Sequence, residues 1–217
     1  MKKLFYFLNI ILLASLVVAC TNEDDFAIPD FATSFVDKDL NDFRNYGSGA
    51  VEIPLDYKGW VNVNTLGSRV WHVRRNFINN VTEQRYVEFS SFNSNLANDP
   101  NDEAWLITPR LDFQLTENEA IEITSRSRFF NGNVLEVLIS ENFSGRAEDI
   151  NDAEWTPIEI NIPIASSSAI DPFTVSNTVD ISRDNPVHIA FRYRGSRQNN
   201  PTSTIQISRI KIFENRP

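Results

Sequence analysis

The sequence is poor in the residues that build reactive or metal-binding centres. Its 217 residues include one cysteine and two histidines. A lone thiol excludes an internal disulfide framework and any structural zinc site built on several thiolates. His72 and His188 alone do not supply a histidine-rich metal centre. No G-x-S-x-G elbow, H-E-x-x-H pair or glycine-rich phosphate loop occurs. Beyond residue 18 there is no second long apolar run, and no long segment carries helical periodicity. A net basic half is missing too: the formal charge is −9, and nearly all of the acidic excess lies between residues 20 and 125. Affinity for nucleic acid comes largely from a basic face, so nucleic acid is excluded as a partner class. What is present, 41% hydrophobic, 12% aromatic and 23% charged, is the composition of a single globular domain.

The N-terminus carries an address. Lys2 and Lys3 precede an apolar run from Leu4 to Val18, followed by Ala19 and Cys20, the order of a secretory signal. The run contains Asn9 and is shorter than the roughly 20 residues a spanning helix needs. Val17-Val18-Ala19-Cys20 resembles the lipobox of bacterial lipoproteins, which implies cleavage before Cys20 and lipidation of its thiol. Several acyl chains, at about 0.8 kcal/mol per buried CH₂, give stable attachment. The expected organisation is a lipoprotein signal peptide at 1–19, a lipidated acidic tether at 20–34 and a folded domain at 35–217. Loss of Lys2 and Lys3 leaves the mature chain more acidic still. Its start, Cys20-Thr21-Asn22-Glu23-Asp24-Asp25, resembles the surface-export signal of outer-membrane lipoproteins. That implies lipid anchoring in the outer membrane, facing the exterior, with the periplasmic face as the alternative.

The domain reads as all-β. Short segments alternate apolar and polar residues between Asn, Asp, Pro, Ser and Gly. In Val187 to Arg194 the odd positions are apolar while His188, Arg192 and Arg194 occupy the other face, so His188 is expected to face water. Ile158, Ile160, Ile162 and Ile164 alternate as a second strand; Leu135, Val137 and Ile139 line a third, with Leu138 marking its opposite face as partly covered. In the last strand the apolar set changes parity between Ile207 and Ile210, which predicts a bulge near Ser208 and Arg209. Further strands are expected near 51–54, 60–63, 70–74, 86–92, 105–108 and 120–130. About ten such strands suit a jelly-roll-like antiparallel β-sandwich of two sheets.

Five motifs in order carry a family resemblance. Asp102-Glu103-Ala104-Trp105-Leu106-Ile107-Thr108-Pro109 resembles a D-x-W-L-I-S/T-P signature; Gly59-Trp60 and Trp71 lie upstream; Leu135 to Gly145 and Glu154-Trp155-Thr156 follow; Ala190-Phe191-Arg192-Tyr193 and Ile205 to Phe213 close the set. Together they resemble the choice-of-anchor J domains of secreted and surface bacterial proteins. The resemblance covers nearly all of the chain from about residue 40 onward. It implies a jelly-roll sandwich similar to carbohydrate-binding modules and a non-catalytic accessory role.

Sugar recognition rests on aromatic platforms that stack on a pyranose, with amides and guanidinium groups binding hydroxyls. Candidates are Tyr57, Trp60, Phe129, Asn131, Arg192, Arg194 and Gln198, with Phe130 and Asn133 nearby; Trp71 and Trp105 read as core. The loop Asn98 to Glu103 concentrates oxygen donors, which makes calcium the one cofactor to weigh, with Asp99, Asp102 and Glu103 as ligands. Its spacing is not that of an EF-hand. Arg126, Arg128, Arg192, Arg194 and Arg197 are expected on one exposed sheet face, either solvated or gathered for an anionic ligand. The leading expectation is a non-catalytic surface lipoprotein that binds a glycan or a partner in a glycan-uptake assembly. A structural or adhesion subunit binding other surface proteins is the second reading, and a glycoside hydrolase the third.

Overall fold

A computed structural model describes residues 34–40, 52–78, 82–95, 97, 100–164 and 172–216. Expected features that fall elsewhere, namely the signal, the tether, Cys20 and Asp99, lie outside the described residues. Among the described residues there are thirteen strands, two complete 3-10 turns at Ser91–Asn93 and Ala147–Asp149, and no α-helix.

The strands are β1 (Ser34–Asp39), β2 (Ile53–Pro54), β3 (Val61–Leu66), β4 (His72–Ile78), β5 (Thr82–Phe89), β6 (Asp102–Ile107), β7 (Glu119–Arg128), β8 (Leu135–Ser140), β9 (Thr156–Ile158), β10 (Thr174–Val175), β11 (Val179–Asp180), β12 (His188–Gly195) and β13 (Thr204–Glu214). They form two antiparallel sheets. The larger runs β10-β7-β13-β5-β4-β2, with β1 added to β13 and β11 to β7; the smaller runs β3-β6-β12-β8-β9. The two-sheet, all-β architecture read from the sequence is the one observed.

The main core fills the space between the sheets. Trp71, Val87, Phe89, Leu106, Val137, Ile139, Phe191, Tyr193, Ile207, Ile210 and Ile212 are all buried there. Period-two alternation puts these side chains on the inner faces and leaves their neighbours outside. The parity change in β13 is real: its pairing with β7 shifts register between Ile207 and Arg209. The bulge keeps Ile205 and Ile207 on the inner face before it and Ile210 and Ile212 on the inner face after it. On its other edge β13 pairs with β5 through residues 205–207 and with β1 through residues 209–213.

Three expectations are corrected. His188 does not face water: it is buried, because residues 141–155 fold over the outer face of the smaller sheet and build a second apolar cluster from Trp105, Leu138, Phe143, Ile150 and Ala190, with Trp155 packed against it. The isoleucine series is not one strand; only Thr156–Ile158 pairs, with β8, and Ile164 is exposed. The five arginines do not share a face, since Arg126 and Arg128 belong to β7 in the larger sheet and Arg192 and Arg194 to β12 in the smaller. Parity alone could not show what covers each outer face.

Candidate functional site

The outer face of the larger sheet carries a transverse row of polar residues. Arg126, Gln206, Glu88 and His72 stand opposite one another on β7, β13, β5 and β4. All four are buried, where a polar atom is costly unless hydrogen-bonded, and hydrogen bonds join Arg126, Gln206 and Glu88 in series. The Arg126 Nε donates to the Gln206 carbonyl oxygen, and the Gln206 amide donates to Glu88. The other Glu88 oxygen accepts from Arg74 Nε at 3.0 Å. Burial alone would raise the Glu88 carboxyl, but the His72 imidazole, the Gln206 amide and the charge of Arg74 outweigh it and hold the pKa at about 2. His72 Nε2 lies 3.5 Å from Glu88, long for a hydrogen bond, so Gln206 and Arg74 make the well-formed ones. The Phe173 ring covers Arg126 at 4.2 Å, and burial lowers the pKa of that guanidinium.

At one end of this face, where β5 and β7 finish and β13 begins, lies a groove of about 600 Å³, the size of a small-ligand site. Tyr86, Glu88 and Thr204 come from the strands, Phe92 from the 3-10 turn at Ser91–Asn93, and Phe129 and Asn131 from the turn after β7. Arg74 and Arg128 also line it. Phe92 is 64% and Phe129 52% exposed, two large rings presented to solvent on the groove. Phe129 adopts φ 51°, a left-handed conformation that costs a bulky residue free energy and marks a position held by its surroundings.

Those surroundings are hydrogen-bonded loops. The Asn131 amide N–H donates to Ser203 Oγ at 2.9 Å, and its side-chain oxygen accepts from the Thr202 N–H at 2.8 Å. Ser90 Oγ donates to the Thr202 carbonyl at 3.1 Å, joining the two rims. Beneath both, the Tyr193 hydroxyl reaches across from the smaller sheet, accepting from the Ser91 N–H and donating to the Ser203 carbonyl. Burial pushes the Tyr193 phenol up to about 12, so it remains a donor.

Of the candidate ligand residues, the groove unites Phe129 and Asn131. Tyr57 and Trp60 share a turn elsewhere, where the Lys38 ammonium sits 3.8 Å from the Tyr57 ring centre and Trp60 packs on the core. Arg192 and Arg194 pair with Glu136 at 2.8 and 3.0 Å on the smaller sheet. Gln198 is exposed on the turn after β12. Asp102 and Glu103 are not brought together: Asp102 is buried and accepts from Ser94 Oγ at 2.6 Å, while Glu103, on the opposite face of β6, accepts from Trp105 Nε1 at 3.0 Å and Thr65 Oγ1 at 2.7 Å. No group of three or more potential metal ligands occurs among the described residues. Tyr86, Phe92, Arg74 and Glu88 were missed as site residues, although the alternation of Tyr86 and Glu88 with Val87 and Phe89 already placed the first pair on an outer face.

Residues 111–215 match the model of a family described as a domain of unknown function (DUF5017). The match begins before β7 and ends after β13, so it includes the Phe129 and Asn131 turn but not Phe92. No curated protein matches the chain. Among solved structures, the K1 cleaved adhesin domain of Lys-gingipain from Porphyromonas gingivalis W83 is similar with a TM-score of 0.50 and 18% identity, over 85% of this chain and 99% of that one. The K3 cleaved adhesin domain of the same protein gives a TM-score of 0.47 and 14% identity over 83% and 99%. The glycoside hydrolase domain of Endo-D from Streptococcus pneumoniae R6 gives 0.38 and 13% over 73% and 22%. What the first of these has in common with the chain is the sandwich fold.

Proposed function

We propose that the protein is a non-catalytic binding module, anchored in the outer membrane through lipid on Cys20 and displayed outward, with the Phe92 and Phe129 groove as a glycan site. The observation that carries this reading is the pair of exposed rings on a groove otherwise lined by hydrogen-bonding groups, the combination that stacks a pyranose and binds its hydroxyls. The adhesin name of the similar K1 gingipain domain favours a contact role over turnover. Kinship with choice-of-anchor J domains is part of the same proposal.

The geometry of β13 suits display. The chain enters β1 at Ser34, opposite Phe213, whereas the groove lies beside Thr204. Nine residues of strand separate these points by about 30 Å. The groove therefore sits at the end of β13 away from Ser34, where β1 begins.

A glycan array probed with the protein, with and without chelator, tests the reading. Saturable binding that is lost in Phe129→Ala supports it. Silence across the array with capture of a surface protein favours adhesion to protein, and turnover of an oligosaccharide overturns the non-catalytic assignment. Mass spectrometry of the processed protein tests the anchor: an unmodified Cys20 thiol removes it.

A further inference from the structure

Resting on the glycan reading, we propose that the groove selects an acidic saccharide, whose carboxylate or sulfate pairs with the Arg128 guanidinium while its ring stacks on Phe129 or Phe92.

The charge balance in the groove is the reverse of the chain's. Arg74, Arg75 and Arg128 line it against a single carboxylate, Glu88, in a chain of formal charge −9. Glu88 is committed: it accepts from Gln206 and Arg74 and stays ionised through the working pH range. It neutralises Arg74 and leaves no acceptor for Arg128.

Arg128 is provided for differently from the other outer-face arginines. Arg126 is held by Gln206, Arg192 and Arg194 by Glu136, and Arg209 by Asp37. Arg128 has no ion pair among the described residues, and its Nε is buried without a hydrogen-bond partner. Its cationic contact is with the face of the neighbouring Phe129 ring, 5.0 Å from guanidinium carbon to ring centre. A buried N–H left without an acceptor costs free energy that a bound anion recovers. A guanidinium offers a planar fork of donors to a carboxylate or sulfate, and such charge-assisted pairs are the strong ones. A neutral sugar could stack on the same rings and offer a hydroxyl oxygen to the guanidinium, but only a carboxylate or sulfate forms the charge-assisted, forked pair. Ring and cation, adjacent in sequence and in contact, thus present apolar and anionic subsites side by side.

Calorimetry with the full-length protein tests this, using oligogalacturonate, the same oligomer with its carboxyls reduced, and a sulfated galactan oligomer, alongside an array of neutral and acidic glycans. The expected result is that one or both acidic probes bind about tenfold or more tighter than the reduced oligomer. The preference should fall with added salt and collapse in Arg128→Gln, while Phe129→Ala weakens neutral and acidic probes alike. Carboxylate and sulfate are distinguished by which acidic probe carries the preference. Equal affinity for acidic and neutral probes, or a preference that survives Arg128→Gln, overturns acidic selectivity and leaves the glycan reading standing. Silence across the whole array overturns both.

Discussion

The phenol of Tyr193 accepts the amide of Ser91 at 3.0 Å from the opposite sheet. The same oxygen donates to the Ser203 carbonyl at 2.9 Å, so one buried hydroxyl ties both rims of the groove to the core. Tyr193→Phe should leave the fold intact, cost about 1–3 kcal/mol in urea denaturation through the two orphaned backbone groups, and speed ligand release. A phenol raised from 10 to about 12 contributes stability that is complete below pH 10 and lost as pH rises through 12. The Tyr193→Phe protein should lack that alkaline loss.

Glu88 supplies the acid-side counterpart. With its carboxyl held at about 2 against an ordinary 4.5, its contribution is complete above pH 4.5 and disappears as pH falls through 2. The difference corresponds to about 3 kcal/mol. Glu88→Gln should be destabilised by that order at pH 7 and should converge on the unsubstituted protein near pH 2, as read by denaturation midpoints along a pH series.

Phe129 separates backbone strain from recognition. At φ 51° a glycine is unstrained and an alanine is not, so Phe129→Gly should be more stable than Phe129→Ala by about 1 kcal/mol. Both should lose glycan binding equally. Thermal unfolding and the array read the two effects independently.

His188 provides a probe of the second cluster. Burial lowers its pKa below the ordinary 6.5, with the hydrogen bond to the Thr108 carbonyl opposing and the charge of Arg110 assisting. Because Nδ1 faces that carbonyl at 2.9 Å, Nδ1 carries the proton in the neutral ring. Its stability contribution is complete above pH 6.5 and declines as pH drops below it. An NMR titration should place the His188 midpoint under 6.5, and Trp155→Ala, which removes a ring packed against that cluster, should move it upward.

The strands were legible where one face alone is apolar. Val187, Ile189, Phe191 and Tyr193 announced β12, and the shift from Ile207 to Ile210 announced a bulge that the register confirms. The outer faces were not legible, because their covering is tertiary. Nothing local to His188 says that Phe143 and Trp155 lie over that sheet, and nothing local to Arg126 says that Phe173 covers it. Strand β1 escaped for a related reason: SFVDKD alternates weakly, and its place is fixed by pairing with β13. The groove was half legible. Phe129 and Asn131 share a turn, but Phe92 and Thr204 join them only through the order of strands in the sheet.

The division of one β13 edge between β5 and β1 has a mechanical consequence. A pull on the chain ahead of Ser34 acts at the Phe213 end of β13, while a ligand held in the groove pulls at the Thr204 end. The two forces are opposed and run parallel to the strands. The backbone hydrogen bonds between β1 and β13 then resist in shear, sharing the load together instead of opening one after another like a zipper.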